Sequence, residues 1–270
     1  MQSPPQTNGQ QPVLWSAAGK WSIILLGLSI VCLLIFRSTE QIDIFVSDLF
    51  FTEKPCADSV EGTRCGRFLR KFQPEWQFVR QAGHNLPLIL MVATALHLTW
   101  LLTYNSNKVR DRLYPPLVAI ISALVGPLFV VNLVLKEYWG RPRPAQTQFF
   151  GGDNPYVAPG EISSFCESNC SFVSGEAAAA FWMLSMVFYF KVALRFRFVA
   201  LTTLVAGAIA MLRVVFGRHY ISDVVMAGLL MVLIIAFTVW LLQTSRATRW
   251  IEALHQSSLK NGFGQQKNKN

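Results

Sequence analysis

The stretch ISDVVMAGLLMVLIIAFTVWLL, residues 221–242, contains a single charged side chain, Asp223, close to its start. A helix of about 20 largely apolar residues is long enough to cross the hydrocarbon core of a bilayer. We therefore predict a membrane-spanning helix here, with its polar residues at the membrane boundary.

The same pattern recurs along the chain. Only 14% of the 270 residues are charged and 52% are hydrophobic, whereas average soluble domains have roughly 25% charged residues. Further apolar runs lie near 15–36, 85–104, 115–135, 174–194 and 198–216. Six such runs argue against a large soluble helical core. We expect an all-α integral membrane bundle of six transmembrane helices, the first a retained anchor because it lacks a small-x-small cleavage pattern.

Charge patterning predicts the orientation of the bundle. The net charge is +9, but the basic residues follow the loops, which argues against a nucleic-acid partner. Those on one side are Lys108, Arg110, Arg112, Lys191, Arg195, Arg197, Arg246, Arg249, Lys260, Lys267 and Lys269. The positive-inside rule makes that side cytoplasmic, together with both termini. The opposite loop 37–84 has equal numbers of basic and acidic residues.

The domain organisation is simple. We expect a disordered tail at 1–13, one membrane domain at 14–244 with external loops 37–84 and 137–172, and a basic cytoplasmic tail at 245–270. The spacing of Ile42, Phe45, Val46, Leu49 and Phe50 predicts a short amphipathic helix, either on the membrane surface or packed on the bundle as a lid.

Four cysteines lie in the loops predicted to be external. They are Cys56, Cys65, Cys166 and Cys170. This placement suggests disulfides in an oxidising compartment, although three pairings are open to four cysteines.

Three polar clusters stand at span ends, and the topology brings all three to the external ends of helices 3–6. They are KEYWGRPRP with Lys136 and Arg143, VSGE with Ser174, Gly175 and Glu176, and RVVFGRHYISD with Arg213, His219 and Asp223. Each has an ordinary structural explanation. A lysine can reach from a membrane boundary to water, RPRP can be a stiff linker, VSGE can cap a helix, and a histidine and an aspartate four residues apart can stabilise each other.

Together the clusters favour a phosphate site. Lys136, Arg143 and Arg213 would place three cations in one pocket without an equal number of acids, an arrangement that a bound anion stabilises. The backbone amides of Ser174 and Gly175 would add donors, and arginine forks suit phosphate oxygens. A histidine beside that anion, with a carboxylate on its other ring nitrogen, is typical of an oriented nucleophile.

At these residues the sequence resembles the type 2 phosphatidic acid phosphatase superfamily. The family pattern is Lys-x6-Arg-Pro, Pro-Ser-Gly-His and Ser-Arg-x5-His-x3-Asp. The first motif matches fully at Lys136 and Arg143-Pro144. The third lacks only its leading serine, and the second reads Val173-Ser174-Gly175-Glu176, with valine for proline and glutamate for histidine. The resemblance covers roughly residues 115–240.

The resemblance implies a role for each matched residue. His219 would attack phosphorus and form a phosphohistidine, with Asp223 holding its tautomer. The phosphoryl oxygens would be bound by Lys136, Arg143, Ser174, Gly175 and Arg213. The family uses no metal or other cofactor.

In the family, the histidine at the position of Glu176 is thought to protonate the leaving oxygen. Three hypotheses for Glu176 therefore stay open. It replaces that histidine as general acid; or no acid is needed because the leaving group is itself a phosphate; or the chain binds lipid phosphates without hydrolysing them.

The implied substrate is a phosphorylated membrane lipid. Tyr138 and Trp139 flank the expected site, as aromatic residues do at headgroup depth. CESNCSFVSGE and GRPRPAQTQFFGG look most like bacterial lipid A 4′-phosphatases, which implies an inner-membrane protein with a periplasmic site. Phosphatidylglycerophosphate and undecaprenyl diphosphate are the alternative substrates, and a non-catalytic lipid-phosphate binder is the alternative class. The oligomeric state stays open.

Overall fold

Five long apolar helices form the body of the protein. The computed structural model describes residues 17–56, 64–103 and 109–258. Within these ranges, the helices long and apolar enough to cross a membrane are Ala17–Ser38, Pro74–Thr103, Asp111–Tyr138, Val192–Val215 and Ile221–Leu242. The predicted helical, multi-pass membrane architecture is confirmed, with five of the six expected spans.

The described elements follow one another as helices with one small β-ribbon. The α-helices are α1 (Ala17–Ser38), α2 (Glu40–Asp48), α3 (Pro74–Thr103), α4 (Val109–Ala123), α5 (Lys136–Tyr138), α6 (Gly175–Trp182), α7 (Val192–Val215), α8 (Ile221–Leu242) and α9 (Ser245–Ser258). A π-helical segment, Leu124–Leu135, joins α4 to α5. Short 3₁₀ turns are Leu69–Phe72, Pro144–Gln146, Gln148–Phe150 and Met183–Tyr189. Strands β1 (Thr52–Glu53) and β2 (Gly66–Arg67) pair antiparallel.

The expected span at 174–194 takes a different form. Its eight-residue helix α6 tightens into the seven-residue turn Met183–Tyr189, and the backbone becomes extended at Phe190. At about 1.5 Å per α-helical residue and about 2.0 Å per 3₁₀ residue, this segment reaches about 26 Å. A hydrocarbon core is about 30 Å thick. The segment is therefore shorter than a full helical span, and the sixth span is not confirmed.

Helix α3 begins at Pro74 rather than near residue 85. Residues 74–84, PEWQFVRQAGH, are too polar to count as part of an apolar span. However, proline at the first helical position and Glu75 in the first turn both favour a helix start. The loop before α3 is therefore shorter than the predicted 37–84, and Arg80 and His84 lie on a helix.

The predicted amphipathic segment is helix α2, and it contacts α7 and α8. Asp43 and Ser47 are fully buried, whereas Ile42, Phe45 and Leu49 are exposed. Asp43 and Ser47 thus face the protein, whereas Ile42, Phe45 and Leu49 face away from it. Contact with the bundle fits a lid and the exposed apolar residues fit a membrane surface, so both placements stay predictions.

The cysteines pair within each loop, as Cys56–Cys65 and Cys166–Cys170.

Small side chains let α6 pack closely at the centre of the bundle. Ala177, Ala178 and Ala180 are completely buried, and α6 contacts both α7 and α8. Close approach of backbones through alanine is typical of membrane helix packing. The Trp182 indole N–H donates to the Ala119 carbonyl over 2.8 Å. These contacts fix α6 relative to α4, α7 and α8.

The first part of the predicted basic tail is helix α9. Residues 1–13, Lys108 and 259–270 lie outside the described residues, so the disorder predicted for 1–13 stays a prediction.

Candidate active site

The structure brings the three polar clusters together at one end of the bundle. Lys136 ends the third span, Ser174 caps α6, Arg213 lies in the last turn of α7, and His219 and Asp223 lie on either side of the start of α8.

The turn that presents His219 depends on Gly217. Its φ of +62° lies in the left-handed region, where glycine meets no steric penalty. The Phe68 ring packs so closely that a Cβ at Gly217 would overlap it. The backbone amides of Arg218 and His219 both donate to the Arg213 carbonyl. Together these contacts fix the loop between Arg213 and the histidine.

The His219 imidazole is buried and its tautomer is fixed. Nδ1 lies 2.7 Å from the Ser171 carbonyl oxygen. Because a carbonyl oxygen only accepts hydrogen bonds, Nδ1 carries the hydrogen of the neutral ring and Nε2 keeps its lone pair. Burial lowers the pKa of His219 to about 4, so the ring is neutral near pH 7. A neutral imidazole with a lone pair on Nε2 is suited to nucleophilic attack.

The partner of Nδ1 differs from the predicted one. We expected Asp223 to hold the tautomer directly, but its Oδ2 lies 3.7 Å from Nδ1, too far for a hydrogen bond. Asp223 Oδ2 instead accepts from the Ser171 hydroxyl at 2.6 Å and from the Tyr220 amide at 2.9 Å. Asp223 is therefore linked to His219 indirectly through Ser171, whose hydroxyl donates to the carboxylate and whose carbonyl accepts from the imidazole.

Asp223 also pairs with Arg141, which lies in the predicted RPRP linker. Arg141 Nη1 lies 2.5 Å from Asp223 Oδ1, and the arginine is 0% exposed. Its Nη2 donates to Asp43 on α2 over 2.8 Å, and its guanidinium stacks 4.3 Å from the Tyr220 ring centroid. Burial alone lowers the pKa of Arg141, but the two carboxylates raise it above its ordinary value. Arg141 is therefore a fixed cation on the Asp223 side of His219.

Two of the three predicted cations, Lys136 and Arg143, contact Asn169 rather than a carboxylate. Lys136 Nζ donates to the Asn169 side chain at 3.1 Å, and Arg143 Nη2 donates to the Asn169 carbonyl at 2.7 Å. Within the described residues, neither cation forms an ion pair. Burial and the neighbouring Arg218 lower the pKa of Arg143, and burial, Arg218 and Arg143 lower that of Lys71. This mutual repulsion would be relieved by a bound anion.

At the start of α6, Ser174 caps the helix and Gly175 lies close to the Lys136 side chain. The Ser174 hydroxyl accepts from the Ala177 amide at 3.3 Å, so the capping role is present, and the hydroxyl hydrogen can still be donated. A Cβ on Gly175 would lie 2.9 Å from Asn132 Oδ1 and 3.4 Å from Lys136 Nζ. Glycine thus lets Lys136 approach the helix start.

Glu176 is held by two arginines. Its Oε1 lies 2.5 Å from Arg80 Nη2 and 3.3 Å from Arg213 Nη1. Glu176 Oε2, Arg80 Nε and Arg213 Nε are buried and make no hydrogen bond within the described part of the chain. Three buried polar atoms without partners, next to two cations, are suited to binding a polar ligand.

Arg80, Arg141 and Asp43 belong to the site but lie outside the predicted motif residues. Arg80 precedes the apolar part of α3, and Arg141 lies among prolines. A charged residue one or two turns before an apolar run was the only available signal for Arg80. For Asp43 it was an acid between two apolar residues, Ile42 and Ile44, in an amphipathic segment.

Comparison with known proteins identifies the family. The PAP2 superfamily matches residues 115–247. A lipid A 4′-phosphatase of Rhizobium etli is 36% identical over 203 residues, which cover 73% of this chain and 77% of the relative. One from Rhizobium leguminosarum is 36% identical over 207 residues, with 73% and 85% covered.

A third relative, a lipid A 4′-phosphatase of Francisella tularensis subsp. novicida, is 32% identical over 153 residues, with 56% and 68% covered. No solved structure matches the chain. Identity at this level over most of the relatives' length shows that the chain belongs to the PAP2 superfamily, as a phosphatase most like the lipid A 4′-phosphatases.

Proposed function

We propose that the protein hydrolyses a phosphate monoester of a membrane lipid through a phosphohistidine on His219. The observation that carries this proposal is the buried neutral imidazole, whose Nδ1 is engaged by the Ser171 carbonyl and whose Nε2 is left as the nucleophilic nitrogen. The cations Lys136, Arg143 and Arg213 would bind the phosphoryl oxygens and stabilise the charge that develops on them.

The reaction would proceed in two displacements. His219 Nε2 bonds to phosphorus while the bond between phosphorus and the lipid oxygen breaks, and the leaving oxygen takes a proton. A water molecule then attacks phosphorus, the P–N bond breaks, and inorganic phosphate leaves with the histidine restored. In the second step the water gives its proton to the group that acted as acid in the first.

Glu176 is our candidate for that acid. It occupies the position of the family histidine in VSGE, and its Oε2 makes no hydrogen bond within the described residues. At rest its other oxygen pairs with Arg80 and Arg213. An incoming phosphate would compete for these arginines, and a singly protonated phosphate would supply the proton that Glu176 passes to the leaving oxygen.

The proposed substrate is lipid A, dephosphorylated at the 4′ position. The support is the name shared by three curated relatives, together with a cationic site at one end of an apolar bundle. We place the protein in the bacterial inner membrane, with the site on the periplasmic face and both termini in the cytoplasm. In this topology α6 and the turn Met183–Tyr189 serve as a short sixth span within the bundle.

The test is phosphate release by detergent-purified protein in the presence of a chelator. The lipids are lipid A, phosphatidylglycerophosphate, phosphatidic acid and undecaprenyl diphosphate, and His219→Ala is the blank. Release from lipid A that is absent in the variant is the expected result. Preferential release from another lipid would overturn the proposed substrate, and no release from any lipid would overturn hydrolysis itself.

A further inference from the structure

Asp43 is a fully buried carboxylate in the middle of α2, outside all three polar clusters. It is 0% exposed although it lies on a helix of the first loop. A buried carboxylate is costly unless several donors satisfy it, so its partners define its role.

Four donors converge on Asp43. Its Oδ1 accepts from the Ser222 amide at 2.9 Å. Its Oδ2 accepts from the Ser222 hydroxyl at 2.6 Å, from Arg141 Nη2 at 2.8 Å and from the Tyr156 hydroxyl at 3.0 Å. The carboxylate therefore joins α2 to the first turn of α8 and to the loop that carries Arg141.

The contacts continue from Asp43 to the histidine. Arg141 bridges Asp43 and Asp223, the Ser171 hydroxyl donates to Asp223, and the Ser171 carbonyl accepts from His219. Every side chain in this series is nearly or completely buried, so water does not compete for its hydrogen bonds. A displacement at Asp43 would reach the imidazole through four contacts.

We propose that Asp43 is a positioning residue, which holds Arg141 and the start of α8 so that His219 is aimed at the phosphoryl group. This inference rests on the proposed role of His219 as nucleophile. It makes α2 a part of the active centre.

An amide cannot replace this carboxylate. Oδ1 faces an N–H donor and Oδ2 faces a guanidinium donor, so the NH₂ group of an asparagine would meet a donor in either orientation. The neutral side chain would also leave Arg141 paired with Asp223 alone. We expect Arg141 and Asp223 to shift, and the Ser171 carbonyl with them.

The experiment compares two anions on Asp43→Asn in detergent. Orthovanadate adopts the five-coordinate geometry of the displacement and needs an aimed Nε2, whereas orthophosphate needs only the cations. Calorimetry should show vanadate affinity reduced about tenfold or more and phosphate affinity within about threefold of wild type. The first figure is the loss of metal affinity seen when groups that orient metal-binding histidines are removed. Affinities do not depend on the folded fraction, so loss of protein would not imitate this result.

Asp48→Asn is the matched control, because Asp48 lies on the same helix but pairs with Arg64 on the exposed side. It should leave both affinities unchanged. If Asp43→Asn yields no folded protein, Ser222→Ala removes one donor to Asp43 and should weaken vanadate binding selectively by a smaller factor. Equal weakening of both anions, or of neither, would overturn the proposal. Neither readout requires lipid turnover, so the result stands apart from the test of the proposed function.

Discussion

Replacing Glu176 with glutamine tests whether this residue is the acid. The substitution keeps the shape of the side chain but removes the proton that the leaving oxygen needs. General acid catalysis contributes about 10²- to 10⁴-fold, or about 2.7–5.4 kcal/mol of barrier. Because Lys136, Arg143 and Arg213 would still bind the phosphate, we expect kcat on a lipid monophosphate to fall at least about a hundredfold with little change in KM.

The assay compares two leaving groups on the same variant. A sugar or glycerol alkoxide leaves poorly without a proton, whereas the phenolate of p-nitrophenyl phosphate is stable without one. The Glu176→Gln variant should therefore lose less than about tenfold on the aryl ester. Glu176→Asp, which keeps a carboxyl group, should retain more lipid turnover than the glutamine variant.

Glu137→Gln is the matched control, since Glu137 is exposed and forms no ion pair within the described residues. It should leave both activities unchanged. Full lipid turnover by Glu176→Gln would refute the assignment of Glu176 as acid. An equal loss on both esters would show that the residue acts through Arg80 and Arg213 rather than on the leaving group.

Three further predictions concern the rest of the site. Nitrogen NMR of histidine-labelled protein should show His219 neutral at pH 6, since burial lowers its pKa to about 4; the His219→Ala spectrum assigns the signal. An ordinary histidine is about three-quarters protonated at pH 6. A titration midpoint near pH 6.5 would contradict the buried geometry. Gly175→Ala should raise KM several-fold in steady-state assays, because the added Cβ would lie 2.9 Å from Asn132 Oδ1; an unchanged KM would contradict this close approach. Mass spectrometry of the oxidised protein should find Cys166 linked to Cys170 within one peptide, and a link between the two loops would contradict the pairing.

Hydropathy predicts the spans because most of each long helix is apolar, and it fails where helices become polar. Residues 74–84 form the first part of α3 but lie before its apolar run, so hydropathy predicts a loop at Arg80. The stretch 174–194 is mostly apolar, but α6 ends at Trp182 and the 3₁₀ turn that follows it ends at Tyr189, before Lys191. Apolar composition reports burial in lipid or protein and does not determine where a helix stops.

The motifs predict which residues meet but not the contacts between them. The spacing of His219 and Asp223 suggested a direct contact, whereas the Ser171 carbonyl, 48 positions away, takes Nδ1. Arg141 could not be recognised because its partner Asp43 is 98 positions away. Such tertiary pairings leave no local pattern in a single sequence.

We expect His219 to carry the phosphoryl group during turnover, and the decisive experiment is to trap that intermediate. Protein incubated briefly with ³²P-labelled lipid A and denatured in alkali should retain label that is stable to base and lost in acid, as expected for a phosphoramidate. Peptide mapping should place the label on His219, and His219→Ala should carry none. Label on another residue, or lipid turnover retained in His219→Ala, would contradict a phosphohistidine intermediate on His219.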